Sequence, residues 1–144
     1  MTAESAAAVI ARLDLAPHPE GGWYRETWRA PSESGVRSSG TAILFLLEAG
    51  QSSHWHRIDA AELWLFQAGT ALTLKTAAHE TRTILETRLG PRAGDTPQQV
   101  VAPGEWQAAQ ASPDGWALVA CVVVPGFEFA GFELAAPGWA PAAG

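Results

Sequence analysis

The stretch Gly50–Gly69, GQSSHWHRIDAAELWLFQAG, decides how the rest of the chain is read. His54 and His56 stand two residues apart, Glu62 follows, and Gly69 closes the run. On a strand, side chains at i and i+2 point to the same face. Two imidazoles on one strand face, with a carboxylate supplied by the next strand, form most of a donor set for a divalent metal. The spacing therefore predicts a site built on His54, His56 and Glu62 within β structure.

Outward from this run, the chain reads as short strands between turn signals. Upstream, Trp23–Arg29 alternates, a polar loop covers Pro31–Gly40, and Thr41–Glu48 is a continuous apolar run that predicts a central strand. Downstream, Gly69 separates Glu62–Ala68 from Thr70–Ala77, and Thr81–Leu89 alternates Ile84 and Leu89 with charges. Beyond the turn-rich Gly90–Pro97 come Gln98–Ala102, Trp106–Ala111 and Trp116–Val124, broken by Pro103-Gly104 and by Ser112-Pro113-Asp114-Gly115. Many short strands with Gly and Pro between them predict an antiparallel sandwich or barrel. One helix is predicted over Thr2–Leu13, where Ala6, Val9, Ile10 and Leu13 recur at helical spacing. Thr2 would cap it, and Pro17 and Pro19 would end it. The Ala/Pro/Gly-rich tail, residues 136–144, is expected to fray.

A chain of 144 residues fits one domain, here 1–144. It is 47% hydrophobic and only 17% charged, which excludes a disordered chain. The formal charge is −6 and Lys75 is the only lysine, so neither nucleic acid nor an anionic membrane is an expected partner. A lone cysteine, Cys121, forbids an intrachain disulfide and sits in an apolar run, which predicts a buried inert thiol. No apolar stretch approaches a membrane span, the N-terminus lacks the features of a signal peptide, and a cytoplasmic location is expected.

The run Gly50–Gly69 resembles the first motif of the cupin superfamily: a glycine, a His-x-His pair, a glutamate and a closing glycine. Here the interval before His54 is shorter, and that between His56 and Glu62 longer, than the general pattern. The second cupin motif has its likeness in Ala102-Pro103-Gly104-Glu105-Trp106-Gln107, with Gln107 standing where that motif carries a histidine. Further segments narrow the resemblance to the cupin_5 family, formerly a domain of unknown function. They are Pro17-His18-Pro19-Glu20-Gly21-Gly22-Trp23-Tyr24-Arg25-Glu26, Glu62-Leu63-Trp64, Pro125-Gly126-Phe127 and Phe132-Glu133-Leu134-Ala135. The resemblance implies an all-β jelly-roll barrel with a short N-terminal helix, a pocket inside the barrel and commonly a homodimer. It also implies a metal set of His54, His56, Glu62 and Gln107, the last through its amide oxygen, suited to Fe, Mn, Ni or Zn. Relatives often carry a histidine where this chain has Leu65.

His56 and Glu62 are the candidate acid and base, because a pocket histidine beside a carboxylate moves protons near neutral pH. Candidate pocket residues are Tyr24, Arg25, Glu26, Trp64 and Trp106. Only alternate residues of Trp23–Arg29 can face inward, either Tyr24 and Glu26 or Trp23, Arg25 and Thr27, and the sequence does not choose. The loop His18-Pro19-Glu20-Gly21-Gly22 reads as a turn with glycine at positive φ. The function expected is an isomerase, epimerase or lyase of a sugar-like or other polar metabolite, with or without metal. The alternatives are a metal-dependent oxygenase and a non-catalytic metabolite-binding module. No Gly-x-Ser-x-Gly or phosphate-loop pattern occurs.

Overall fold

The computed structural model describes residues 4–80 and 83–142. Its one α-helix, α1 (Ala6–Leu13), is capped by Ser5, whose hydroxyl accepts the Ala8 N–H at 3.1 Å. The predicted cap Thr2 lies outside the described residues. Asp14, at φ 55° in the left-handed region, ends the helix. The apolar face of α1 buries Val9 against Leu15, Leu46 and Leu118.

Among the described residues, eleven strands follow. They are β1 (Ala16–Pro17), β2 (Trp23–Arg29), β3 (Thr41–Leu47), β4 (Ser52–Ile58), β5 (Ala61–Gly69), β6 (Leu72–Ala77), β7 (Leu85–Leu89), β8 (Gln98–Val101), β9 (Trp106–Ala111), β10 (Ala117–Val124) and β11 (Phe132–Leu134). The first sheet runs β1-β2-β3-β10-β5-β8 and the second β11-β4-β9-β6-β7, with antiparallel pairing within both. Strands that follow one another in sequence mostly lie in opposite sheets or across a crossover, and the result is a jelly-roll barrel. The predicted strands from Trp23 onward are present, with ends moved by a few residues and with Thr81 and Arg82 of the predicted Thr81–Leu89 outside the described residues; the strand expected to carry His54 and His56 is β4, and β1 and β11 add to the set.

Alternation explains the interior. Inward residues of the first sheet, Phe45, Leu47, Trp64, Val119 and Cys121, pack on Leu72, Leu74, Leu89, Ala109 and Ala111 of the second. This cluster fills one end of the barrel. The other end holds polar side chains, and two local irregularities place them there.

The first irregularity lies in β4. Ser53 pairs with Ala109 and His56 with Gln107, so one strand spends an extra residue between the two pairs. This is a β-bulge. His54 and Trp55 both oppose Ala108 and both turn outward, while His56 returns to the interior. The second irregularity is the loop 18–22, where Gly21 and Gly22 have φ of 104° and 84°. A Cβ on Gly21 would meet the Ser52 carbonyl at 2.6 Å, and one on Gly22 would meet Phe45 and Leu47 at 2.8 Å. Only glycine allows this approach. The His54 N–H donates to the Glu20 carbonyl at 2.7 Å, so the bulge and the loop are tied together.

Residues 136–142 of the tail run along the outer face of the second sheet, and residues 143–144 lie outside the described residues. Ala135 N–H donates to Trp55 O, Ala142 N–H to Glu80 O, and the Trp139 ring lies 4.6 Å from that of Trp106.

Candidate functional site

A cavity of about 30 Å³ opens inside the polar end of the barrel. That is room for one or two waters, or for the reacting end of a small molecule. His18 and Glu20 enter from the loop, His56 from β4 and Glu62 from β5. The walls are Tyr24, Ile43, Ile58, Val123, Phe127 and Phe132. Tyr24, Ile43 and Phe127 also border an outer groove of about 650 Å³ that carries Arg25, Glu26 and Arg29. The cavity therefore has apolar, largely aromatic walls and a floor of two histidines and two glutamates.

Glu62 is held from below. The Trp64 indole N–H donates to Gln107 Oε1 at 2.8 Å, and Gln107 Nε2 donates to Glu62 Oε1 at 2.8 Å. An indole nitrogen only donates, so the orientation of the Gln107 amide is forced. Gln107 and Trp64 are fully buried, which fixes the chain of bonds in the core. Burial pushes the Glu62 carboxyl up to about 7; Glu20 adds to the rise, while His56, Gln107 and the Cys121 thiol oppose it.

His56 is held from above. Its Nδ1 lies 2.7 Å from the His54 carbonyl and 2.9 Å from Glu20 Oε2. Burial alone would strip its proton, but the Glu20 and Glu62 carboxylates and the His54 carbonyl outweigh burial and raise it to about 9. His56 is thus an imidazolium at neutral pH, with Nε2 left for the cavity. His18 moves the other way, lowered chiefly by burial. Its Nδ1 accepts the Glu20 N–H at 3.1 Å, which suits a neutral ring. Burial, with Glu62 and Glu20 adding, pushes the Cys121 thiol up, so it is inert as predicted.

Of the predicted metal set, the structure brings His56, Glu62 and Gln107 together and leaves His54 out. His54 Nε2 lies 2.8 Å from the Ala136 carbonyl on the opposite face of the sheet, because the bulge cancels the i, i+2 rule. Gln107 offers its amide N–H toward Glu62 and has spent its oxygen on Trp64. These donors do not fit a divalent ion, and among the described residues no group of three or more His, Cys, Asp or Glu is arranged to hold one.

The predicted pocket residues divide in the same way. Tyr24 lines the cavity, which answers the open question about β2. Arg25 bonds the Leu13 carbonyl at 2.7 Å, and Glu26 pairs with Arg29 at 2.7 Å, both in the outer groove. Trp64 lies in the core behind Gln107 and does not line the cavity. Trp106 faces outward, between Arg57 (4.5 Å from the ring centroid) and Trp139. Leu65 also points away from the cavity, opposite Ala120 on the outer face.

The sequence motifs do not mark His18 and Glu20 as site residues. The available signal was the pair Gly21-Gly22 directly after an ionisable residue: two glycines in close approach to neighbouring strands drive that residue into the barrel.

A family model described as Cupin_5, cupin superfamily (DUF985), matches residues 7–135. Among solved structures, a protein from Shewanella oneidensis is 36% identical, with a TM-score of 0.86 over 93% of this chain and 86% of that one. A hypothetical protein from Leishmania major is 30% identical, with a TM-score of 0.84 over 94% and 90%. Oxalate decarboxylase from Bacillus subtilis is alike in fold alone: 16% identity and a TM-score of 0.64 over 83% of this chain but 29% of the enzyme. No curated protein matches the chain.

Proposed function

The chain belongs to the Cupin_5 family of the cupin superfamily (DUF985), and on that premise we propose that its barrel is a metal-independent acid–base site for a small polar metabolite. The reaction class is isomerisation, epimerisation or elimination beside a carbonyl. One observation carries the reading: a buried carboxyl raised to about 7 faces the same small cavity as a buried imidazolium raised to about 9. Two titratable groups pushed to opposite sides of the working pH are a ready-made base and acid.

The roles follow from the geometry. The Glu62 carboxylate accepts a proton from the carbon beside the carbonyl. His56 donates a hydrogen bond, and then its proton, to the carbonyl oxygen as charge develops there, giving an enediol. Return of the proton to the other carbon or the other face gives the isomer or epimer, and both groups recover their starting states. Gln107 keeps the carboxylate oriented, and Glu20 keeps His56 charged. The oxygenase alternative needs open positions on an iron held by His54, His56, Glu62 and Gln107, and two of those four are committed elsewhere.

The reading includes a homodimer formed through the outer face of the first sheet. Register places Ala42, Val122, Leu63 and Val100 in one row across β3, β10, β5 and β8, and Leu44, Ala120 and Leu65 in the next. Val100 is 57% exposed. An apolar face of this kind on a sheet fits a second copy. Among the described residues, no helix is long and apolar enough to cross a membrane.

The test is proton exchange. Small hydroxy-carbonyl compounds are incubated with the protein in deuterated water, and washout of the carbon-bound proton is followed by NMR. Exchange is expected with the unaltered protein and loss of at least a hundredfold in His56→Ala and Glu62→Gln. Full exchange in both variants overturns the assignment.

A further inference from the structure

Glu20 carries an anomaly that its part in holding His56 does not use up. Its side chain is buried, at 8% exposure, and lines the cavity. Oε2 accepts no aligned hydrogen bond from the described residues. His56 Nδ1 is close, at 2.9 Å, but its N–H is aimed at the His54 carbonyl at 2.7 Å. Oε1 faces His18 Nδ1 across 3.2 Å, and that nitrogen is itself an acceptor for the Glu20 N–H. Glu20 Oε2 thus has a counter-charge beside it, but among the described residues no donor is well aligned on it. A buried carboxylate is seldom left so, because each unpaired oxygen forfeits the hydrogen bonds it made in water. When the orphan also lines a cavity, the missing donor is one that a ligand brings.

The rest of the cavity says which ligand. Among the described residues, no arginine or lysine lines it. A carboxylate or phosphate would meet Glu20 and Glu62 with only His56 to offset them, so like charge repels an anion. A cation would gain from the two carboxylates, but it would share the cavity with the His56 imidazolium and lose its hydration between apolar walls, where burying a full charge costs far more than burying a hydroxyl. An uncharged molecule with a hydroxyl group meets neither penalty. Its O–H donates to the orphaned oxygen, and its carbon skeleton lies against Tyr24, Phe127 and Phe132.

We propose that Glu20 is the ligand-binding carboxylate of this cavity, that it accepts a hydrogen bond from a hydroxyl of a small uncharged hydroxylated molecule, and that the site rejects carboxylates of the same size. This deepens the reading of the cavity as a small-molecule site but does not require that a proton be transferred there.

The experiment compares dihydroxyacetone with glycerate, two three-carbon probes that differ in charge, by NMR titration of the protein at neutral to mildly alkaline pH. Dihydroxyacetone is expected to bind about tenfold or more tightly than glycerate, the size of one charge-assisted hydrogen bond. Glu20→Gln keeps the shape and removes the charge; it should weaken dihydroxyacetone about tenfold and narrow the gap to glycerate. Should Glu20→Gln not fold, Glu20→Asp, which keeps the charge and withdraws the oxygens by one methylene, should show the same loss. Glycerate binding as tightly as dihydroxyacetone, no binding of either probe, or an affinity indifferent to Glu20 overturns the proposal; the last would mean that the orphan serves a water alone. If dihydroxyacetone binds through Glu20 and no proton exchange occurs, the catalytic reading fails and this one stands. If exchange occurs with an unchanged KM in Glu20→Gln, this one fails and the catalytic reading stands.

Discussion

Trp64 donates its indole N–H to Oε1 of Gln107 across 2.8 Å, and that bond decides what Gln107 can do for Glu62. With its oxygen spent, the amide turns its N–H to the carboxylate and favours the charged form. Gln107→Leu should therefore raise Glu62 further and move the acidic limb of activity to higher pH. It should also cost about 1–3 kcal/mol of stability, because the Trp64 N–H is left buried without an acceptor. A pH–rate profile and a urea melt check the two effects separately. An acidic limb that stays in place would show that Gln107 only fills space.

The same bond bears on metal. With His54 on the other face and the Gln107 oxygen occupied, chelator treatment should leave the melting temperature and proton exchange unchanged. Addition of Mn, Fe, Ni or Zn should not stabilise the protein. A true site loaded to a hundred times its Kd would add about 2.7 kcal/mol, several degrees in a melt. A rise of that size that disappears in His56→Ala would restore the metal reading.

How much of this was legible in the sequence varies by residue. The strands from Thr41 to Val124 were, because alternation and Gly/Pro punctuation are local and survive packing. The convergence of His56, Glu62 and Gln107 was also legible, through motif order. His54 was misplaced because a bulge is a property of strand pairing: nothing between Ser53 and His56 announces the extra residue. Gln107 sits where expected, but its polarity is set by Trp64 from a different strand, a contact distant in sequence. Trp106 is a candidate pocket residue by sequence, but its strand parity with Gln107 argues against that, since neighbours on a strand face opposite sides. Glu20 was hidden because loops carry no periodicity.

The dimer is tested on the row Val122–Leu63–Val100. A stable dimer would bury about 2,000 Å² or more in total. Leu63→Glu with Val122→Glu places carboxylates at the centre of that face while leaving the inward residues Glu62 and Cys121 unchanged. Sedimentation at micromolar concentration should show a dimer for the unaltered chain and a monomer for the double variant, with the fold intact by circular dichroism. A monomer in both cases removes the proposal.

Stability should fall as pH rises, in two overlapping steps, and the sign follows from the direction of both shifts. Glu62 goes from 4.5 to about 7 on folding, and His56 from 6.5 to about 9. Each holds its proton more tightly in the folded state, so each contribution is complete below the unfolded value and is lost as pH passes the folded value. The Glu62 contribution fades between pH 4.5 and about 7, and that of His56 between pH 6.5 and about 9. Shifts of this size are each worth on the order of 3 kcal/mol, and because the groups interact the pair gives less than the sum. Urea melts from pH 5 to 9 should therefore show a steady decline of a few kcal/mol, against the common pattern in which paired carboxylates gain stability as they ionise. Glu62→Gln removes one titrating group and should flatten the lower half of the decline while leaving the upper half, which belongs to His56. His18, held neutral by burial, gains stability as pH rises towards 6.5 and offsets part of the early decline. If stability rises between pH 5 and 7 in the unaltered protein and just as much in Glu62→Gln, Glu62 is not the raised carboxyl on which its assignment as base rests.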